Sequence, residues 1–109
     1  MDLAEKKCAP CEGGVAPLAG EQLEGLKGHL KSEWKIIDDG KKISRAFTFD
    51  DFAQALAFVN SVGDIAEQEG HHPDIALAYG KVGIELTTHA IGGLSENDFI
   101  VAAKIDQLG

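Results

Sequence analysis

Histidine is the side chain whose unperturbed pKa, about 6.5, lets it both give and take a proton near neutrality. Three of the four histidines of this chain, His71, His72 and His89, fall close together in its second half. The first two lie in Glu67-Gln-Glu-Gly-His-His-Pro-Asp74, and the third in Thr88-His89, shortly before Ser95-Glu-Asn-Asp98. The only tyrosine, Tyr79, stands between them. Two imidazoles facing each other across a pocket could protonate a leaving group on one side of a bound molecule and remove a proton on the other. Each such transfer is typically worth ~10²–10⁴-fold in rate. That chemistry suits elimination of water, because hydroxide leaves poorly until it is protonated.

Other readings of the same residues stand beside this one. A histidine pair before a proline can simply cap the preceding helix, whose C-terminal dipole end accommodates imidazolium. Three histidines could ligate zinc, although no local i, i+4 pair is present and adjacent side chains on extended backbone diverge. Asp98, the fourth residue of Ser-x-x-Asp, fits a capping box. Glu67 fits a solvated helix carboxylate, and Tyr79 an aromatic at a strand end. The fourth histidine, His29, sits one position off an apolar stripe and is expected at the surface.

The elements that would hold the cluster follow from periodicity. Leu23, Leu26 and Leu30 share one helical face and predict a short helix over about 20–31, weakened by Gly25 and Gly28. Trp34 to Asp38 reads as a strand, Asp39-Gly40 as a hairpin turn, and Lys42 to Phe49 as the return strand. Asp50-Asp51 opens the longest helix, where carboxylates meet free backbone N–H groups. Phe52, Ala55, Leu56, Val59 and Ala66 are its expected apolar face, and Gly70 its terminator. Ile75, Leu77 and Tyr79 alternate with Ala76 and Ala78, Gly80-Lys81 makes a second turn, and Val82, Ile84 and Leu86 alternate with Gly83, Glu85 and Thr87. His89 falls on the Glu85/Thr87 parity, away from the packed face. Ser95 opens a last helix with Phe99, Val101, Ala102, Ile105 and Leu108 on its apolar side. The order α-β-β-α-β-β-α predicts an α+β fold, a four-stranded antiparallel sheet with three helices packed on one face.

A length of 109 residues, with 44% hydrophobic and 26% charged, predicts one globular domain over residues 1–109. Residues 1–17, punctuated by Pro10, Gly13, Gly14 and Pro17, read as an irregular N-terminal arm. Cys8 and Cys11 form a Cys-Ala-Pro-Cys pair with neither a second pair to complete a zinc site nor a strand–helix context for redox work. A net charge of -8 argues against direct nucleic-acid binding and against anionic membranes, but not against a small neutral ligand. No apolar targeting core or spanning run is visible, so a cytoplasmic location is expected. A core this small makes association between copies plausible.

Glu67-x-x-x-His71-His72-Pro73, Tyr79, Lys81-Val82, Thr88-His89 and Gly93-Leu94-Ser95-Glu96-x-Asp98 together resemble the pterin-4a-carbinolamine dehydratase family. Asp50-Asp51-Phe52 and the opening Cys8-Ala-Pro-Cys11-Glu-Gly-Gly extend the resemblance to nearly the whole chain. It implies the same sheet-and-helix fold. It also implies dehydration of 4a-hydroxytetrahydropterin to quinonoid dihydropterin, in the recycling that serves aromatic amino-acid hydroxylases. No metal or organic cofactor is implied, and the small-molecule pterin is the substrate. By resemblance, His71 and His89 are the acid/base pair, and His72, Asp98, Glu67 and Tyr79 are the substrate-binding residues, with His72 mainly binding and orienting the pterin. Asp98 supports the site, for instance by orienting His89. A homodimer or homotetramer is implied as well. Relatives with this fold also serve as dimerisation partners of a transcription factor or in enzyme assembly, which keeps an interaction module open as the alternative. Two departures stand out: Ile75 occupies a position that is aromatic in animal members, and Leu18-Ala19-Gly20 caps the first helix poorly.

Overall fold

The alternating strands decide the architecture. Ile43 and Phe47 share one parity, as do Val82, Ile84 and Leu86, and all five side chains are buried. Their strands pair antiparallel with Ile43 opposite Leu86 and Phe47 opposite Val82, which joins the five into one apolar face. The other parity carries Ser44, Ala46, Gly83 and Glu85, none of them buried. A sheet patterned in this way needs cover on one side only.

This computed structural model describes Leu3, residues 17–31 and residues 33–108. Helix α1 (Glu21–Lys27) is followed by strands β1 (Lys35–Ile37) and β2 (Lys42–Thr48) and helix α2 (Phe52–Glu69). Strands β3 (Asp74–Ala78) and β4 (Lys81–Leu86) come next, then a single 3-10 turn (His89–Ile91) and helix α3 (Glu96–Asp106). The strands form one antiparallel sheet in the order β1-β2-β4-β3, so α2 carries the chain across the sheet and β4 returns to its middle. The expected α+β fold of a four-stranded sheet and three helices is therefore the observed one. Of the expected N-terminal arm, Leu3 is buried in the core and Pro17 is exposed; the rest of it, with Cys8 and Cys11, lies outside the described residues. Among the described residues no helix is long and apolar enough to cross a membrane.

Several expected boundaries shift. Helix α1 is shorter than 20–31: it starts at Gly20, which makes no side-chain capping bond, and stops at Gly28. Leu23 is nevertheless buried, with Leu26 and Leu30 packed beside it. Strand β1 loses Trp34 and Asp38. The first hairpin turns through Asp38, Asp39 and Gly40, all at positive φ, rather than through Asp39-Gly40 alone. The second turns at Tyr79-Gly80, not Gly80-Lys81, so Tyr79 leaves the strand and stands 75% exposed.

The buried face of α2 is Ala55, Phe58, Val62 and Ala66, whereas the expected Phe52 and Leu56 are 43% and 41% exposed. Apolar residues surround most of this helix, so periodicity alone left its rotation open. Aromatic packing fixes it. The Phe58 ring lies 4.6 Å from that of Phe47 and 5.1 Å from that of Phe49, within the range of favourable aromatic pairs. Helix α3 differs in the opposite sense. Instead of one apolar side, nearly all of it is buried, from Asn97 through Ala103 and again at Ile105 and Asp106, because α1 and α2 pack against it. Leu108 lies beyond its end, exposed.

The buried end of α3 is tied down by one carboxylate. Asp106 accepts hydrogen bonds from the Lys31 backbone N–H (3.1 Å), Trp34 Nε1 (2.7 Å) and Arg45 Nη1 (2.6 Å). Arg45 occupies the apolar parity of β2, lies 4.2 Å over the Phe47 ring, and reaches Glu33 as well. Its charge is accommodated there because acidic partners and an aromatic face replace water. Asp106→Ala leaves an indole N–H and a guanidinium without their shared acceptor, and is expected to lower stability by about 3 kcal/mol. Urea unfolding should show this as a lower midpoint at unchanged slope.

Candidate active site

The site begins where α2 ends. Gly70 takes the left-handed conformation (φ 65°) that a non-glycine residue adopts only with strain, and its N–H bonds Ala66 O. The His71 N–H reaches the same carbonyl at 3.2 Å. Backbone groups therefore cap this helix, which leaves the imidazoles for other partners. The chain then leaves the helix extended, as Pro73 favours for His72, and adjacent side chains diverge. His71 Nε2 lies 2.6 Å from Asp98 Oδ1, while His72 Nε2 pairs with Glu67 Oε2 on the outside of α2.

The two pairs differ in weight. The His71 side chain is 11% exposed and Asp98 is fully buried, so their bond is sheltered from water and of the order of 1.5–3 kcal/mol. His72 and Glu67 are 61% and 77% exposed, where ion pairs contribute about 0–1 kcal/mol. His71 is held in place, while His72 and Glu67 form an exposed polar rim. The two neighbouring imidazoles thus face different carboxylates, and among the described residues no group of three or more His, Cys, Asp or Glu side chains is arranged to hold a metal.

His89 arrives on a separate loop. Strand β4 ends at Leu86, so His89 is not a strand residue as its parity suggested; it opens the 3-10 turn and is exposed. The loop is fastened on several sides. Thr88 N–H donates to Gly93 O at 2.8 Å, Thr87 Oγ1 donates to Lys41 O at 2.6 Å, and Leu18 N–H donates to Leu94 O at 2.9 Å. Gly93 lies directly under Pro17, close enough that an added Cβ would sit 2.8 Å from the proline Cβ. Thr88 is extended (φ -111°, ψ 98°) and buried, and the next residue, His89, faces outward.

Asp98 joins the two loops. Its Oδ1 meets His71, and its Oδ2 accepts from the Ser95 backbone N–H at 2.9 Å and from Thr88 Oγ1 at 2.8 Å. Capping α3 and holding the site are thus one arrangement. The ring that Asp98 contacts is His71, not His89 as the resemblance suggested, because Thr88 takes the side of the carboxylate next to the His89 loop. A carboxylate can only accept, so the hydrogen between Asp98 and His71 is on Nε2, and Nδ1 is the nitrogen left for other work. The sequence offered Thr88 only as the neighbour of His89 and Ser95 only as a helix cap; that the two hydroxyls meet each other and that Thr88 reaches Asp98 was not foreseen, although Thr88 falls on the inward parity of β4.

Tyr79 is not gathered with these groups. It stands at the opposite end of the five-residue strand β3 from His72, and that strand spans about 16 Å at ~3.3 Å per residue. His29 is exposed, and Ile75 packs against the core. The residues brought together are His71, Asp98 and Thr88, with His89 next to Thr88 and the His72–Glu67 pair beside His71.

Residues 16–108 match the family described as pterin 4 alpha carbinolamine dehydratase. A protein of Nitrosomonas eutropha, provisionally named pterin-4-alpha-carbinolamine dehydratase, is 53% identical over 98% of this chain and 93% of its own length. One of Rubrobacter xylanophilus with the same provisional name is 50% identical over 98% of both chains. Among solved structures, a transcriptional coactivator/pterin dehydratase from Brucella melitensis superposes with a TM-score of 0.79 at 30% identity, covering 84% of this chain and 97% of that one. A pterin dehydratase-like protein identified as a RuBisCO assembly factor in the alpha-carboxysome gives 0.62 at 26% identity, covering 72% of this chain and 90% of that one. The chain belongs to the pterin-4a-carbinolamine dehydratase family, whose named activity is that of a hydro-lyase.

Proposed function

We propose that this protein dehydrates a pterin-4a-carbinolamine to the quinonoid dihydropterin and water by histidine general acid/base catalysis, in tetrahydrobiopterin recycling. The observation that carries the reading is Asp98, which touches His71 with one oxygen and Thr88, the neighbour of His89, with the other. Two histidine-bearing loops that are distant in sequence are thereby drawn to one place.

The chemistry needs two proton movements. The 4a-hydroxyl must gain a proton so that the C4a–O bond can break with water as the leaving group. N5 must lose its proton so that its electron pair can form the C4a=N5 bond. His71 is the better suited to the N5 proton. With its Nε2–H on Asp98, proton uptake at Nδ1 produces an imidazolium already facing a carboxylate, the role an aspartate plays beside a catalytic histidine in hydrolases. His89 then supplies the proton to the hydroxyl from the other side. His72 and Glu67 form the polar rim that orients the pterin ring. The exposed Phe52 and Leu56 on α2 and the free edges of β1 and β3 support a homodimer or homotetramer, for which light scattering should read the mass of two or four chains.

A second reading is favoured by the two solved neighbours, one described as a coactivator and the other as an assembly factor. On that reading the fold is an interaction module, and a pull-down from the native host would recover a stable partner while turnover is absent.

The test generates the carbinolamine with a phenylalanine hydroxylase and follows its decay. The wild type should accelerate it. His71→Ala and His89→Ala should each lower kcat by ~10²–10⁴-fold, and the double variant should do no better than buffer. Full activity in the double variant would reject the assignment. Tyr79→Phe, at the far end of β3, should leave kcat/KM within about twofold, as exposed substitutions away from a site generally do.

A further inference from the structure

Thr88 is buried, yet it packs no apolar surface that valine would not pack equally well. Its hydroxyl is spent on two contacts of 2.8 Å, one to Asp98 Oδ2 and one to Ser95 Oγ. A hydroxyl has a single proton, and as a carboxylate Asp98 can only accept. The Thr88 proton therefore goes to Asp98, and Ser95 must be the donor of the other bond. The chain of donors has one direction: Ser95 O–H to Thr88 Oγ1, Thr88 O–H to Asp98 Oδ2, with His71 Nε2–H on Asp98 Oδ1 from the opposite side.

The Ser95 oxygen and the Ser95 N–H make the capping box of α3 with the Asp98 N–H and Asp98 Oδ2, but that box does not need the Thr88 hydroxyl. The hydroxyls add discrimination between the two carboxylate oxygens. The terminal torsion of aspartate is soft and roughly two-fold, so one donor leaves the group free to rock or swap its oxygens. Two donors from different elements, one on a β-branched side chain with a stiff χ1, remove that freedom. What remains is a single aim for Oδ1, and with it a single ring orientation for His71.

We propose that Thr88, backed by the Ser95 hydroxyl, is a positioning residue: it clamps Asp98 so that His71 is held with its hydrogen on Nε2 and its Nδ1 presented to substrate. The catalytic consequence rests on the dehydratase reading above; the orientation of the His71 ring does not. Because Thr88 also precedes His89, the same hydroxyl fixes the spacing between the two loops.

The experiment pairs kinetics with long-range ¹H–¹⁵N correlation spectra of ¹⁵N-histidine-labelled protein, recorded near pH 8, where an unperturbed imidazole of pKa about 6.5 is neutral. In the wild type, His71 should show one tautomer, with hydrogen on Nε2. Thr88→Val, which keeps shape and removes the donor, should broaden or shift the His71 Nε2–H signal as the ring loses its fixed aim, and lower kcat by about 10–100-fold, a part of the acid/base contribution, with KM within about twofold. Thr88→Ser should restore both the sharp signal and most of kcat. Ser95→Ala keeps the backbone N–H and should broaden the same His71 signal less, so the clamp can still be judged if Thr88→Val does not fold. A wild-type His71 carrying its hydrogen on Nδ1, or an unchanged His71 signal in both Thr88→Val and Ser95→Ala, would overturn the proposal. A wild type without dehydratase activity but with the signal behaviour described would reject the enzymatic reading and support the clamp.

Discussion

A fully buried carboxylate is the constraint on which this structure turns. Asp98 has no access to water, so all of its stabilisation must come from donors that the fold delivers. Three different parts of the chain deliver them: the end of α2 through His71, the loop after β4 through Thr88, and the start of α3 through the Ser95 N–H. Removing any one leaves the carboxylate short of a partner in a low-dielectric setting, where shortfalls are most costly. The same requirement that stabilises the packing therefore holds an imidazole in one orientation, so that stability and chemistry depend on one group.

Asp106, at the other end of α3, plays a matching part without chemistry. It gathers the α1–β1 connection and β2 as Asp98 gathers the α2–β3 and β4–α3 connections. Helix α3 is thus pinned at both ends by acidic residues, with an apolar middle buried against the other two helices. This arrangement gives the site a rigid floor. His89 and the His72–Glu67 pair stand on exposed segments above it. On the proposed reading, a buried, fixed element below and exposed polar groups above would admit a flat heterocycle and still hold one proton acceptor in register.

Among the relatives, the same fold occurs under names that describe catalysis and under names that describe interaction. The difference need not lie in the scaffold. The sheet, the helices and the Asp106 anchor serve either purpose, whereas the Asp98–His71 bond and the His89 loop are what the proposed proton transfer would use. A function grafted onto a shared fold is best read from such groups.

Much of the fold was legible in the sequence because it rests on local, periodic signals. Alternation at Val82, Ile84 and Leu86, the Asp51 cap, the Gly70 stop and the Ser95 box each act within a few residues, and all are where the pattern put them. The histidine cluster could likewise be singled out from residue type and spacing. What the sequence could not decide was direction. The rotation of α2 was set by Phe47 and Phe49 on a different element, and Tyr79 was moved out of its strand by a one-residue change in the turn. Which histidine Asp98 would hold depended on the side from which Thr88 approached. Periodicity determines which residues share a face; which partner that face meets is decided only when distant segments compete for the same buried atoms, and that competition exists only in three dimensions.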